Sequence, residues 1–322
     1  MKNDQCENEK IAIVMATYNP REDFFRKQID SIKAQTWSNW ICFIADDNSE
    51  PQNKRFIQNL VANDSRFVCY FFENNLGSYY NFERGLECCK GQDLKGIAFC
   101  DQDDIWMPEK LELLIRSMRS SNAVMIHSDL KLINQSDMVI GNSCWEYEGR
   151  SVLSTNYESL LFKNTITGCA MLFSASILSE ILPFPKQART LWHHDRWVAI
   201  VALTLGDVIH FNEPLVLYRQ HENNTLGAIK PSRELTNEVK AWKSNKFRIT
   251  GNSYLNLSGL IDQFYTRCLP NKKNPFSLDV YDFGFGILWL GFKNYLKGNG
   301  QLGATLRLCV LKNILTFQKV FD

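Results

Sequence analysis

Five short polar clusters hold the residues whose types and spacing suit chemistry. Asp101-Gln102-Asp103 sets two carboxylates two residues apart in a turn. Such a pair can chelate Mg2+ or Mn2+ bridging two phosphates, because these ions prefer carboxylate oxygens and keep water and phosphate as further ligands. The same acids can instead cap the helix that follows Pro108, where the helix dipole favours negative charge. Asp46-Asp47-Asn48-Ser49 reads either as a turn capping the next helix or as a fixed carboxylate acceptor for the imide N–H of uracil or thymine. Asn74-Asn75-Leu76-Gly77 is a turn in either case, with Gly77 expected at positive φ. His194-Asp195 sits at a helix start, where Asp195 is a cap or a general base taking a proton from a hydroxyl. His221, after Arg219-Gln220, is an idle surface imidazole or the last member of a cation site.

The elements around these clusters alternate strand and helix over the first 105 residues. Ile11 to Ala16 is a continuous apolar run, as in a strand buried on both faces. After Pro20, Phe24, Phe25, Ile29 and Ile32 recur at a helical period through Gln35. Further strands are expected at Trp40 to Ala45, Arg66 to Phe72 and Gly96 to Cys100, with helices over about 52–62 and up to about Lys90. Repeated units of this kind predict a parallel sheet with right-handed crossovers, whose ligands bind at the carboxyl ends of the strands. The clusters in this region lie at those ends. Beyond the helix after Pro108, strands are expected at Ala123 to Leu132, Gly168 to Phe173, Val208 to Phe211 and Glu213 to Tyr218, with a helix opening near His194.

Taken in order, Ala16-Thr17-Tyr18-Asn19-Pro20, Asp46-Asp47-Asn48-Ser49, Asn75-x-Gly77, Asp101-Gln102-Asp103-Asp104-Ile105-Trp106, Thr167-Gly168-Cys169, His194-Asp195 and Tyr218-Arg219-Gln220-His221 resemble the inverting GT-A glycosyltransferases of family 2. The runs from Asp101 to Leu111 and from Leu217 to Asn224 resemble bacterial rhamnosyltransferases of surface-polysaccharide assembly. The resemblance covers about residues 9–226. It implies an α/β fold of the GT-A type, a Rossmann-like, mostly parallel sheet flanked by helices; the residues beyond it read as a helical C-terminal extension. It implies a nucleotide-diphosphate sugar donor, foremost dTDP-rhamnose with UDP-hexoses and UDP-N-acetylhexosamines as alternatives. It further implies a divalent cation, Mn2+ or Mg2+, and a saccharide acceptor carried on a polyprenyl diphosphate.

Residue roles follow from the same resemblance. Thr17 and Asp47 would hold the nucleobase, with Tyr18 and Asp46 beside them. Asn75, Gly77, Gln102 and Gly168 would line the nucleotide-sugar site, and Asp101 would lie near the ribose or join the metal. Asp103 and His221 would ligate the cation, and Asp195 would be the base. His194, Trp106 and Arg219 would face the acceptor. One departure is visible: where many family members carry an Arg-Asn pair in the helix after the Asn-x-Gly turn, this chain has Phe82-Glu83.

Composition bounds the remaining classes. The 322 residues carry net charge +1, which argues against a nucleic-acid binder. Residues 1–230 hold 23 basic and 29 acidic side chains, whereas 231–322 hold 13 and 6. The expected division is therefore an acidic catalytic domain over 1–230, with a donor half at 9–105 and an acceptor half at 106–230, and a basic helical region over 231–322. That region reads either as a surface for an anionic membrane or as a helical cap. The ten cysteines show no Cys-x-x-Cys spacing and several fall in apolar runs, as in a reduced cytoplasmic protein. The chain opens on MKNDQCENEK, without secretory-signal character, and no apolar run reaches the roughly 20 residues of a membrane span. The expectation is a cytoplasmic protein, peripheral at most on the inner face of the membrane.

Overall fold

The computed structural model describes residues 9–150, 156–161, 164–186, 192–222, 224, 227–228, 247–277, 285–296, 309 and 312. The chain divides into two compact units. The first comprises Met1–Glu148, Ile166–Phe184 and His194–Ile229, and it contains every candidate site residue.

Its frame is a nine-stranded sheet. The strands are β1 (Ile11–Thr17), β2 (Trp40–Asp46), β3 (Phe67–Phe71), β4 (Gly96–Cys100), β5 (Ile105–Trp106), β6 (Met125–Ile133), β7 (Val139–Gly141), β8 (Met171–Ser174) and β9 (Val208–Arg219). They run in the order β3-β2-β1-β4-β8-β6-β9-β5, with β7 paired to β6. Pairing is parallel from β3 through β4, because a crossover helix follows each of β1, β2 and β3 and leads to the next strand. Those helices are α1 (Glu22–Lys33), α2 (Pro51–Val61) and α3 (Ser78–Glu87). β8 runs antiparallel to both β4 and β6, and β9 returns parallel to β6 and antiparallel to β5. The strand order reverses between β1 and β4, so the loops after Thr17 and Cys100 flank the crevice where open α/β sheets bind ligands.

Burial explains why these runs are strands and helices. β1 and β4 are central and lose both faces to packing, which suits their unbroken apolar sequences. α1 buries Phe24, Phe25, Ile29 and Ile32 on one stripe, each contributing about 1.5–3 kcal/mol of apolar burial. α3 approaches β1 so closely that a Cβ on Gly85 would stand 2.4 Å from Val14 Cγ1.

Several expectations are adjusted here. The two strands expected at 208–211 and 213–218 are one, β9, whose register against β6 shifts around Ser128, Asp129 and Lys131. The strand expected from Gly168 begins at Met171, after a 3-10 turn, Gly168–Ala170. Helix α4 is Lys110–Ser121, and the short α5 (Cys144–Glu148) follows the β6–β7 hairpin. The helix carrying the expected base, after the short α6 (Tyr157–Leu160) and α7 (Leu178–Ile181), is α8 (His194–Leu205).

The second unit takes Gly149–Thr165 and Pro185–His193 as well as Lys230–Asp322, so two segments assigned from sequence to the acceptor half group with the C-terminal region. Its described helices are α6, α9 (Phe247–Cys268) and α10 (Phe285–Leu296). Leu260, Ile261, Phe264, Phe276 and Ile287 form its buried side. Lys293 pairs with Glu158 at 2.8 Å, and buried Lys312 donates to the Pro275 carbonyl at 2.9 Å. The helical pattern expected from Leu302 to Phe317 lies, apart from residues 309 and 312, outside the described residues. Among the described residues no helix is long and apolar enough to cross a membrane. The nine described cysteines are free thiols, and Cys6 lies outside the described residues.

Candidate active site

The loop after β1 is built by hydrogen bonds from its neighbours. Gln102 Oε1 accepts from the Thr17 hydroxyl and from the Tyr18 N–H, each at 2.8 Å. Gln102 thus fastens the β4 loop to the β1 loop across the switch point. The Tyr18 ring remains 48% exposed. Asn19 sits at φ 41, a left-handed conformation that Asn tolerates, and its side chain accepts from Glu50 N at 2.8 Å.

Asp46 and Asp47 serve the loops first. Asp46 is buried and accepts from Ser49 N at 2.9 Å and from the Ser49 hydroxyl, closing its own turn. Asp47 reaches across to the Asn75-Leu76-Gly77 turn, where its two oxygens accept from Leu76 N at 2.9 Å and Gly77 N at 2.7 Å. The Arg84 guanidinium closes on Asp47 as well, and also donates to Asn74 O at 3.1 Å. Asn75 Oδ1 accepts from Gly77 N at 3.2 Å. Gly77 has φ 83, the positive value expected from its place in the turn.

The acids after β4 converge with two other segments. His221 Nε2 lies 2.7 Å from Asp103 Oδ2, bringing the residue after β9 onto the β4 loop. Asp101 is pushed up to about 7, mainly by burial, with the Asp103 and Asp195 carboxylates adding to the shift. Asp195 is 8% exposed and enters from the start of α8, where its Oδ1 accepts from Arg196 N at 2.6 Å and its Oδ2 from Gly168 N at 3.2 Å. The absence of a side chain at Gly168 is required: a Cβ there would stand 2.6 Å from His194 Nε2.

The donor chemistry fits a hard divalent cation at Asp103 and His221, one carboxylate oxygen and one imidazole nitrogen within hydrogen-bonding distance, with Asp101 near. Asp101, Asp104 and Cys169 also bring ligand atoms within 4.8 Å of one another. That set fits less well, because burial holds the Cys169 thiol well above the usual thiol range and therefore protonated.

Two of the three residues expected to face the acceptor lie in the interior. Trp106 is 2% exposed and its ring lies under Lys110 Nζ, 3.3 Å from the ring centroid. Arg219 is fully buried; its Nε donates to Asp103 O at 2.7 Å and its Nη1 to Asn134 O at 3.1 Å and Asp137 Oδ1 at 2.5 Å. Both are interior supports of the acidic loop rather than surfaces an acceptor can touch. His194 packs its ring on Phe82, with centroids 3.7 Å apart, and edge-on to Phe99 at 5.0 Å. The departure at Phe82-Glu83 therefore has a structural use: Phe82 backs His194, and Glu83 Oε1 accepts from Phe184 N at 2.7 Å.

Several functional supports lie outside the sequence-derived set. Asn81 donates to the Ala45 carbonyl at 2.7 Å, and Arg84, three residues on, holds Asp47. Lys110 is fully buried and donates to Cys169 O at 2.6 Å. Its signal was present: Lys110 lies on the same stripe as Leu114 and Met118, a charged residue at an apolar period.

The sequence profile of "Glycosyl transferase family 2" matches residues 12–182, which span β1 through α7. The chain belongs to glycosyl transferase family 2. It is thus a glycosyltransferase, and its fold is that of the GT-A members. Its relatives include an uncharacterized glycosyltransferase of Nostoc sp., 24% identical over 70% of this chain and 69% of that protein. They also include an Escherichia coli protein named UDP-Glc:alpha-D-GlcNAc-diphosphoundecaprenol beta-1,3-glucosyltransferase WfgD, 30% identical over 56% of this chain and 68% of that one. Among solved structures, S. aureus TarS 1-349 in complex with UDP-GlcNAc aligns with a TM-score of 0.52 and 12% identity, over 97% of this chain and 92% of that one.

Proposed function

We propose that this family 2 enzyme transfers a hexosyl unit, with inversion, from a nucleoside diphosphate sugar to a hydroxyl of a polyprenyl-diphosphate-linked saccharide in surface-polysaccharide assembly. One observation carries the reading. Asp101, Asp103 and Asp195 come from two separate segments, yet the latter two both act on the first, alongside the 2.7 Å contact of His221 with Asp103. This grouping supports a reading in which a diphosphate site adjoins a base for an incoming hydroxyl.

In this reading the nucleoside lies over the ends of β1 and β2, against the exposed Tyr18 ring and the Leu76–Gly77 backbone that Asp47 holds. Asp103 and His221 would hold a divalent cation, Mn2+ or Mg2+, whose charge would offset that of the departing diphosphate. Asp195 accepts the proton of the acceptor hydroxyl, its carboxylate aimed by the N–H groups of Gly168 and Arg196. No covalent intermediate is needed, and the anomeric configuration inverts.

Two donors each have support. The names of the Escherichia coli relative and of the S. aureus complex carry UDP-Glc and UDP-GlcNAc, which favours a UDP-hexose or UDP-N-acetylhexosamine. The runs from Asp101 to Leu111 and from Leu217 to Asn224 favour dTDP-rhamnose by their resemblance to rhamnosyltransferases. A thermal-shift panel of nucleotide sugars with and without Mn2+ separates them: the true donor stabilises most, and indifference to every nucleotide would sink the reading. The second unit supports a membrane-borne acceptor, since α10 leaves Trp289 69% and Phe292 47% exposed.

A further inference from the structure

Lys110 opens α4 with its side chain removed from solvent. Burying an ammonium is costly unless it is matched, and a methionine of similar length would fill the space without that cost. What matches it here is specific. Nζ donates to the Cys169 carbonyl at 2.6 Å and rests on the Trp106 ring. Asp101 and Asp104 lie near enough to favour its charged form, although burial pulls its pKa down to about 8.

Cys169 is the central residue of the 3-10 turn Gly168–Ala170, and the N–H of Gly168 is the one that holds Asp195 Oδ2. A continuous path therefore runs from the Lys110 ammonium to the Cys169 carbonyl, through the backbone of Cys169 and Gly168 to the Gly168 N–H, and on to the Asp195 carboxylate. The path has little slack. Gly168 faces His194, whose ring is stacked on Phe82 and meets Phe99 edge-on, so any tilt of the turn meets packed aromatic rings.

We propose that Lys110 is a positioning residue for Asp195: it pins the Gly168–Ala170 turn and thereby sets the direction of the carboxylate that takes the acceptor proton. The proposal rests on Asp195 being the base.

Lys110→Met tests this. kcat should fall at least tenfold, measured with whichever of UDP-glucose and dTDP-rhamnose the wild-type enzyme turns over. Donor KM and the affinity for UDP with Mn2+ should stay within about twofold. Amide hydrogen exchange should accelerate in residues 167–170 and 194–196 and nowhere else. Lys110→Arg, which keeps charge and donors, should recover to within about threefold of the wild-type rate, and it carries the test if the Met variant does not fold. Unchanged kcat and exchange in Lys110→Met would overturn the proposal, as would losses shared equally by kcat, UDP binding and exchange across the whole sheet. Asp195→Asn measured in parallel separates the two levels. An inactive Asn variant beside a fully active Met variant removes only the role of Lys110, whereas an active Asn variant removes the base itself.

Discussion

In the proposed mechanism the chemistry turns on Asp195 and Gly168, and each can be tested alone. Asp195→Asn keeps the shape and loses the basicity, so it should fold normally and lose at least about 100-fold in kcat. Gly168→Ala should leave UDP binding intact but lower kcat about tenfold or more. A Cβ 2.6 Å from His194 Nε2 must move a ring that Phe82 and Phe99 hold from two sides. Single-turnover kinetics with matched UDP titrations would show the split. His221→Ala should raise the Mn2+ concentration needed for half-maximal rate by about tenfold or more, the low end for losing a group that ligates or orients a ligand. An unchanged Mn2+ requirement would take His221 out of the cation site.

Helix α3 shows how an element transmits its sequence to the site. Its inner face carries Asn81, Phe82 and Gly85, and Arg84 reaches from it to Asp47. Gly85→Ala should cost about 1–3 kcal/mol in urea unfolding, since the new methyl meets Val14 within the central strand. Glu83, on the same helix, has its pKa raised, mainly by burial, while its bond from Phe184 N works the other way. A carboxylate raised in the fold binds its proton more tightly there than in the unfolded chain, so its ionisation destabilises the fold above the folded pKa. Glu83→Gln keeps the acceptor for Phe184 N and should melt higher than wild type at pH 7–8. That advantage should vanish as the pH falls below the ordinary carboxylate range, as differential scanning fluorimetry across pH would register. These elements were legible from periodicity: β4 falls at Gly96–Cys100 as read, and α1 and α2 differ from expectation only at their ends. The Asp101–Asp103 turn, the Gly77 turn and the Asp195 helix start were legible as well, because turn chemistry and strand ends are local. What escaped is non-local. Nothing near Arg219 in sequence says that it spans from β9 to the β6–β7 hairpin. Asp47 likewise gives no local sign that it is claimed by a turn some thirty residues away.

At the scale of the whole chain, charge and apolar surface are distributed unevenly. The basic excess of 231–322 reads from sequence either as a face for an anionic surface or as a helical cap with solvated lysines. Among the described residues, however, Lys293 is paired with Glu158 and Lys312 is buried, while Trp289 and Phe292 stand exposed on α10. Aromatic side chains with one wet and one apolar side suit the headgroup boundary of a bilayer. Trp289→Ser combined with Phe292→Ser should therefore reduce flotation with liposomes more than neutralising Lys293 does, and leave UDP binding unchanged. Equal flotation of the double variant and the wild type would assign the helix to packing alone.

Arg219 gives the hairpin beyond β6 an unexpected share in the enzyme's adaptability. Its guanidinium joins the Asp103 backbone to Asp137 on the exposed turn, and Lys27 holds Asp137 from α1. A drifting population can vary the exposed positions Gln135, Ser136 and Met138 of this turn. Yet each change there retunes, through one arginine, the loop that carries Asp103. Epistasis between this hairpin and the acidic loop is the expected signature. Libraries selected for a new donor should return compensating substitutions at 134–138 that touch no substrate.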